Sequence, residues 1–481
     1  MKKFILLSII CLTFIYPDEP YGGYVLYTPG GMGNANSTSY LTDVDGSIYN
    51  SWTHNNGPAS MPYLFLPESE SGYENTLLYY PCRVNSPTME AGGVGGRVEI
   101  YNWGGNLLWS HEISNTIYQH HHDIDVLPNG NILMVTWERK YSSEWQAAGR
   151  TSVNNSLNQM WSTSIFEIEP NFTTGSAEVV WEWHLWDHLI QDADSNDDNY
   201  GVVSEHPELF DINLGNAGSS NGPGGANGDW IHINAVSYNA EFDQIVFSSR
   251  HHDEIFVIDH STTTEEAAGH SGGNYGKGGD FLYRWGNPQN YDRGNNSNHI
   301  LGSQHSINWV PDGYPGEGNF ILFNNDGNEA LEFIPPIDEN GNYYIEDGQP
   351  FGPSSEIWTS PYMATQMQGG AFRLPNGNTL VTDCDDALIK EFTESGTTVW
   401  SYSHPGNNAN IARAQRYPID YFDAGDTLLG DLNEDGELNI LDIVSLVNLV
   451  LAEEYNSNGD INGDNGLNIL DIVSLVNLIL N

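Results

Sequence analysis

Positive charge is scarce in this 481-residue chain: Lys and Arg number 15 against 64 Asp and Glu, a formal net charge of −49. A surface of that sign repels polyanions, which excludes nucleic acid as a partner, and it suits a salty exterior. Cysteine is scarcer still, at three. Cys11 falls in an N-terminal apolar run, which leaves Cys82 and Cys384. Export permits a disulfide between them, and spacing alone does not establish one. Lys- and Glu-rich helical patterns are rare, whereas Gly numbers 51 and aromatics make up 12%. That balance favours strands joined by Gly and Asn turns. Membrane-length apolar runs are missing too. Phe4 to Tyr16, behind Lys2 and Lys3, is too short to span a bilayer and reads as a secretory signal over residues 1–20, with Ile10 arguing against a lipoprotein site. The expectation is a protein that is secreted, periplasmic or displayed at the cell surface, with no membrane span.

What the chain does have is repetition. "HDIDVLPNGNIL" from His122 is echoed by "HSINWVPDG…NFIL" from His305, with proline six places after histidine in both. "GGAFRLPNGNTL" from Gly369 and "MPYLFLPES…NTLL" from Met61 keep the frame without histidine, and "HINAVSYNAEFDQIVF" from His232 is a looser copy. Each reads as strand, tight turn, strand. A second phrase, an alternating strand and a turn before a strand closing on tryptophan, ends at Trp52, Trp109, Trp181, Trp285, Trp358 and Trp400. Six such hairpins predict an all-β six-bladed propeller over residues 21–422, the architecture that closes repeated antiparallel sheets without long free edges.

In a propeller the innermost strands line the axis, so His122, His232 and His305 are predicted to converge in one funnel. Three chemistries fit three imidazoles. One is a zinc or copper site, with Asp123 and Asp125 available behind it. The second is ester hydrolysis by metal-activated water. The third is covalent catalysis by an imidazole, with Arg250 in "IVFSSRHHDE" holding an anionic substrate. A surface ion pair is the plain alternative for Arg250, and a blade strand running into a capping segment is the plain reading of "WEWHLWDHLIQD" (181–192), whose Trp183, Trp186 or His188 are otherwise ring-binding walls. "SGGNYGKGG" (271–279) misses the phosphate-loop pattern, with Ser271 where the first glycine belongs.

"DWIHINAVSYNAEFDQIVFSSRHHDEI" (229–255), with "QHSINWVPDG" and "HHDIDVLPNGNIL", resembles the bacterial arylsulfate sulfotransferases over most of residues 22–402. The resemblance implies a six-bladed propeller that moves a sulfuryl group from a phenolic sulfate ester to a phenol, without a nucleotide donor and without a catalytic cofactor. It implies a transiently sulfated histidine at His305. Sulfate-binding partners fall on His232, Asn234 and Arg250, and a further active-site histidine on His122, with His121 the runner-up. His122 is then expected to donate a proton to the leaving phenolate and later to accept one. The chain departs from better-known members in starting its propeller almost directly after the signal and in lacking their closely spaced cysteine pair. A non-catalytic binding propeller is the competing class, and His305 with Arg250 discriminates, because binding alone needs neither.

After a linker over 423–430 the sequence changes character. "DLNEDGELNILDIVSLVNLV" from Asp431 returns 29 residues later as "DINGDNGLNILDIVSLVNLI", with five differences in twenty positions. Oxygen ligands fall at calcium-loop positions on Asp431, Asn433, Asp435, Asn439 and Asp442, then on Asp460, Asn462, Asp464, Asn468 and Asp471, with backbone carbonyls from Glu437 and Gly466. Residues 431–481 thus read as a small all-α calcium-binding domain whose apolar stripe Ile443, Leu446, Val447, Val450 packs on its copy. Aspartate at position 12 and the missing entering helix make it resemble a type I dockerin, which implies structural calcium and a cohesin-like or cell-surface partner. Ile-Leu at positions 10 and 11 departs from the polar pair common in cellulosomal dockerins and leaves a different partner open.

Overall fold

A computed structural model describes residues 19–30, 35–67, 70–222, 224–406, 409–423, 429–433, 438–452, 455–462 and 466–480. The expected signal, residues 1–18 of it, and the ligand positions Asp435, Glu437 and Asp464 lie outside the described residues.

Six four-stranded antiparallel sheets form the propeller blades. Five run in chain order from an inner strand outward: Tyr63–Phe65 to Leu107–Glu112, Tyr118–Val126 to Ala177–His184, Ile233–Asn239 to Tyr283–Trp285, His305–Trp309 to Trp358–Thr359, and Gly370–Arg373 to Thr398–Ser403. The remaining blade, counted first, takes three strands from the beginning of the chain (Tyr24–Gly30, Ser37–Thr42, Ile48–His54) and its inner strand, Asn410–Tyr417, from after the sixth blade. Tyr24 pairs opposite Tyr417 and Gly30 opposite Asn410, so this antiparallel seam closes the ring and leaves no open first or last sheet edge there. The repeat phrases did not reveal the closing strand, because "NIARAQRYPID" carries neither the proline turn nor a histidine.

All six predicted tryptophans lie in outermost strands, and each has a bonding reason to be there. A buried indole N–H needs an acceptor. Trp52 donates to the Asn102 carbonyl at 3.0 Å, Trp109 to that of Ser176 at 2.8 Å, and Trp181 to the Thr262 hydroxyl at 3.2 Å. Trp285 donates to the Pro353 carbonyl at 2.8 Å, Trp358 to that of Glu394 at 2.8 Å, and Trp400 to that of Val44 at 2.7 Å. Five of the six acceptors sit just before the outer strand of the next blade, Thr262 follows the third strand of its blade, and the sixth tryptophan returns to the first blade. The tryptophan repeat is therefore a ring of blade-to-blade fasteners. Apolar clusters fill the space between sheets, such as Trp183, Phe247, Phe256 and Phe281 between the third and fourth blades.

The few arginines are mostly spent inside this scaffold. Arg284 grips Glu254 through two bonds of 3.0 and 2.6 Å, and Arg373, Arg413 and Arg416 pair with Glu332, Asp123 and Glu391, all buried. Cys82 and Cys384 are buried and free.

In the tail, helices Ile440–Ala452 and Ile469–Leu480 pack through Leu446 and Leu475, both fully buried, while Ile443, Val447 and Val450 are half-buried. Asp442 accepts from the backbone N–H of Leu432 at 2.9 Å and of Asn439 at 2.8 Å, and Asp471 accepts from Asn468 at 2.9 Å. These position-12 aspartates thus tie each loop to its helix. Asp431 and Asp460 are buried as well. Among the described residues no helix is long and apolar enough to cross a membrane.

Candidate active site

His122, His232, Arg250 and His305 line one axial cavity of about 610 Å³. It lies at one end of the channel, walled by the glycine-rich segments 91–93 and 215–222 and by Met367 and Gln368. The 215–222 wall belongs to an insertion between the third and fourth blades that carries its own hairpin, Ser219–Gly222 against Gly225–Asn227. A second cavity of about 360 Å³, between Trp285, Tyr291, Tyr344 and Phe351 on the periphery, is lined by no histidine or arginine among the described residues.

The histidines reach the axis because their strands are bulged. Pairing slips between His120 and Ile124, between Ile233 and Ala235, and between His305 and Asn308. A bulge turns a side chain out of the ladder. His122 therefore sits within its strand rather than at the head, with φ of 53°, and His232 just precedes its strand with φ of 52°. Left-handed backbone in a non-glycine residue costs roughly 1 kcal/mol or more, which the surrounding structure sustains here. Gly93 makes the arrangement possible: its φ is +74°, and a Cβ there would lie 1.9 Å from His122 Nε2.

Hydrogen bonds fix the tautomers. His305 Nδ1 lies 2.7 Å from Asn325 Oδ1. The Asn325 amide nitrogen is committed to the carbonyls of Thr365 at 3.1 Å and Gln368 at 2.8 Å, so its oxygen must face the histidine. His305 accordingly donates from Nδ1 and keeps the Nε2 lone pair. Burial holds its imidazole down to about 3, with Arg250 adding to the effect and Asn325 opposing it, so the ring is neutral at pH 7. His232 Nδ1 donates to Asp229 Oδ2 at 2.5 Å, and Trp137 donates to the other carboxylate oxygen at 2.9 Å. Burial alone would raise the Asp229 carboxyl; the His232 charge and hydrogen bond, then His251 and His121, overcome this and hold it well below the carboxylate range. His251 stacks on His232 at 4.6 Å between ring centroids.

His122 meets His232 edge-on at 4.7 Å, and its Nδ1 lies 2.8 Å from His121 Nδ1. Burial first, then the neighbouring imidazoles, keeps His122 well below the usual histidine range. His121 is stacked flat on Trp137 at 4.1 Å behind His122 and does not line the cavity. His120, the third of the run, accepts from Gly96 N–H at 3.0 Å and serves the packing. Asn234 is buried beneath the cavity, giving one N–H to the Gln304 carbonyl at 2.7 Å. Arg250 differs from the scaffold arginines: among the described residues no carboxylate pairs with its guanidinium, which faces the cavity.

Some sequence expectations land elsewhere. Asp123 is consumed by Arg413, Tyr63, Ser60 and the Val236 N–H, and Asp125 by Tyr238 N–H at 2.7 Å, so neither backs a metal at the histidines. Trp183 is buried in the core with its N–H on the Gly279 carbonyl, and Trp186 and His188 likewise lie away from the funnel. Asp229, Asn325, His251 and Arg413 join the site only in the structure. Asp229, three residues before His232, is legible in the sequence; Asn325 follows the neighbouring strand of His305's own blade, Arg413 comes from another blade, and neither leaves a local trace.

The molecule is a six-bladed propeller with a histidine-rich axial funnel holding one unpaired cation. Residues 86–343, over half of the chain, match the family model described as arylsulfotransferase (ASST). The chain belongs to the arylsulfotransferase family, which supports an aryl sulfotransferase-type function with aryl sulfate and phenol substrates. No curated protein matches it. Among solved structures, it is similar to a protein of unknown function from Bacteroides caccae (10% identity, 82% of this chain and 98% of that chain, TM-score 0.41). It is also similar to the Cps50 (Swd1) β-propeller domain of Myceliophteria thermophila (9%, 79% and 87%, TM-score 0.37) and to the periplasmic gluconolactonase PpgL of Pseudomonas aeruginosa (14%, 80% and 84%, TM-score 0.35). At these scores the likenesses carry no argument; the blade count rests on the strand pairing.

Proposed function

We propose that the protein is an exported aryl-sulfate sulfotransferase that works without a nucleotide donor through a sulfated His305. The observation that carries this is the meeting of a neutral, tautomer-fixed imidazole with an unpaired arginine in one cavity. In the first half-reaction His305 Nε2 attacks sulfur, the S–O bond to the aryl group breaks, and the phenolate leaves. Arg250 and the second Asn234 N–H donate to the sulfonate oxygens while charge shifts between them, and His232, oriented by Asp229, walls the group beside them. In the second, the acceptor phenol gives its proton to His122, its oxygen attacks sulfur, and the N–S bond breaks. Burial keeps the His122 ring neutral, so it is free to accept the acceptor phenol's proton but holds none to give, and the first phenolate departs unprotonated, which favours donors with acidic phenols. The leader expected over residues 1–20 supports export. The paired loops and helices of the tail support a dockerin-like, calcium-folded module with a cohesin-like or cell-surface partner.

A second reading has its own observation. Asp229, His232 and His251 bring ligand atoms within 4.8 Å of one another, and a cation there would make the funnel a metal-assisted sulfate ester hydrolase. One assay separates the two. p-Nitrophenyl sulfate should release nitrophenol faster with added phenol, with no nucleotide, and with chelator treatment sparing the propeller reaction. His305→Ala should abolish release in a folded protein. Near-wild-type turnover in His305→Ala, or activity lost to chelator and regained only with zinc, rejects the sulfohistidine route.

A further inference from the structure

A second histidine cluster lies outside the funnel, where the third blade meets the insertion in the fourth. His188 follows the third blade's outer strand through a short turn at Leu185–Asp187 and is fully buried, parallel to Trp183 at 5.6 Å between centroids. Its Nε2 is 2.8 Å from the Ala267 carbonyl. A carbonyl only accepts, so Nε2 carries the hydrogen. The other nitrogen, Nδ1, then points a lone pair at Asp280 Oδ1, 2.8 Å away. In a buried site two acceptors at that distance need either a proton between them or a metal cation that both ligate. His270 Nδ1 approaches the same oxygen at 2.8 Å from the other side.

We infer that His188, His270 and Asp280 form a binding site for a zinc-class divalent cation, which fastens the 264–280 segment to the edge of the third blade. The donor set is two imidazole nitrogens and one carboxylate oxygen, all within 4.8 Å, and borderline-soft zinc takes that set. Tetrahedral zinc spaces its ligand atoms roughly 3.3 Å apart, a small opening from the present contacts. The carbonyl behind His188 is the partner that a metal-bound imidazole ordinarily has on its far nitrogen. An entry path exists, because the His270 side chain is 60% exposed and lines a cavity of about 390 Å³ shared with His206 and Asp187. That cavity leaves room for a fourth ligand, water. The glycine-rich "SGGNYGKGG" stretch also acquires a purpose. A Cβ on Gly279 would lie 2.1 Å from the Ala267 carbonyl oxygen and 2.6 Å from His188 Nε2, so glycine is what lets the loop fold down over the site.

The alternative occupant of the His188–Asp280 gap is a proton, and cobalt distinguishes the two. Chelator-stripped full-length protein, resaturated with calcium, is titrated with Co²⁺ beside the His270→Ala variant, whose exposed substitution leaves the core intact. The wild type should bind one more equivalent than the variant, with visible absorption bands of low-symmetry cobalt, and zinc should displace it. Zinc should raise the Tm of the wild type and not of His270→Ala, and both should turn over aryl sulfate alike without added metal. Subtracting the variant removes any metal held by the funnel or the tail. Asp280→Asn, weaker as a ligand but the same shape, should reproduce the loss. Equal cobalt stoichiometry in wild type and His270→Ala, or an equal zinc-dependent Tm rise in both, overturns the site.

Discussion

Asn325 contacts only one atom of the proposed nucleophile, yet its removal should slow the enzyme. Its side-chain oxygen accepts the His305 Nδ1 proton at 2.7 Å, and its own nitrogen is anchored by two carbonyls. In Asn325→Ala the buried Nδ1–H loses its acceptor, a penalty of about 1–3 kcal/mol. The ring escapes it by moving the proton to Nε2, which removes the lone pair that must attack sulfur. Turnover should therefore fall by about 5- to 150-fold, and KM for the donor should hold, because Arg250 and Asn234 still bind the sulfonate. Asn325→Asp separates positioning from mere packing. A carboxylate also accepts from Nδ1, so the tautomer survives, but an adjacent negative charge lifts an imidazole by about 1–3 pH units. His305 rises from about 3, and protonation then removes its lone pair as pH falls through the raised value. Asn325→Asp should match the wild type near pH 7 more closely than Asn325→Ala does and lose activity on an acid limb where the wild type still works. The assay is initial nitrophenol release from pH 4 to 8, within the range where circular dichroism stays native. Wild-type kcat in Asn325→Ala, or equal losses and equal pH profiles in the two variants, would falsify the tautomer argument.

Three further outcomes follow from the geometry. Gly93→Ala places a Cβ 1.9 Å from His122 Nε2 at a φ of +74°, so activity should drop by more than about tenfold with the blade spectrum retained; unchanged kcat would mean that His122 is not needed where it stands. His54, His252 and His305 are held at about 3 and His120 at about 4 by burial, below the unfolded value near 6.5, so the unfolded chain takes up protons first and stability is lost as pH falls from about 6.5 toward 3. Each contributes about 1.4 kcal/mol of that loss by pH 5.5, whereas His260, raised to about 9 against burial by Asp243 and Glu167, stabilises below 6.5 and loses its contribution as pH climbs through 9; a Tm flat from pH 7.5 to 5 would contradict the acid part. Asp431→Ala with Asp460→Ala should remove calcium-induced helical circular dichroism from the isolated segment 431–481 while sparing sulfuryl transfer by the full chain, and a tail fully helical in chelator would reject calcium-coupled folding.

The local patterns were legible because each is made by residues close in sequence. The proline-turn phrase and the closing tryptophan are spelled within single hairpins, so blade number, strand alternation and three of the funnel's histidines could be read off directly. The paired tail repeats are likewise complete within their own windows. What remained hidden was what is assembled between strands and across blades. The tryptophan spacing gave the outer strands, but that each indole bonds to the following blade depends on the ring closing. Arg413 reaches Asp123 across 290 positions, and Asn325 reaches His305 by crossing one strand pair, so neither could be paired from its neighbours. Asp123 is taken from the histidines by Arg413 across the ring, whereas Asp229 holds His232, and the bulges in the histidine strands leave no mark in a period-two pattern. Arg250 is visible as a rare cation, but its availability for an anion is a tertiary fact: Asp229 in the same cavity wall is taken by His232 and Trp137, and the buried Glu254 and Asp123 by Arg284 and Arg413.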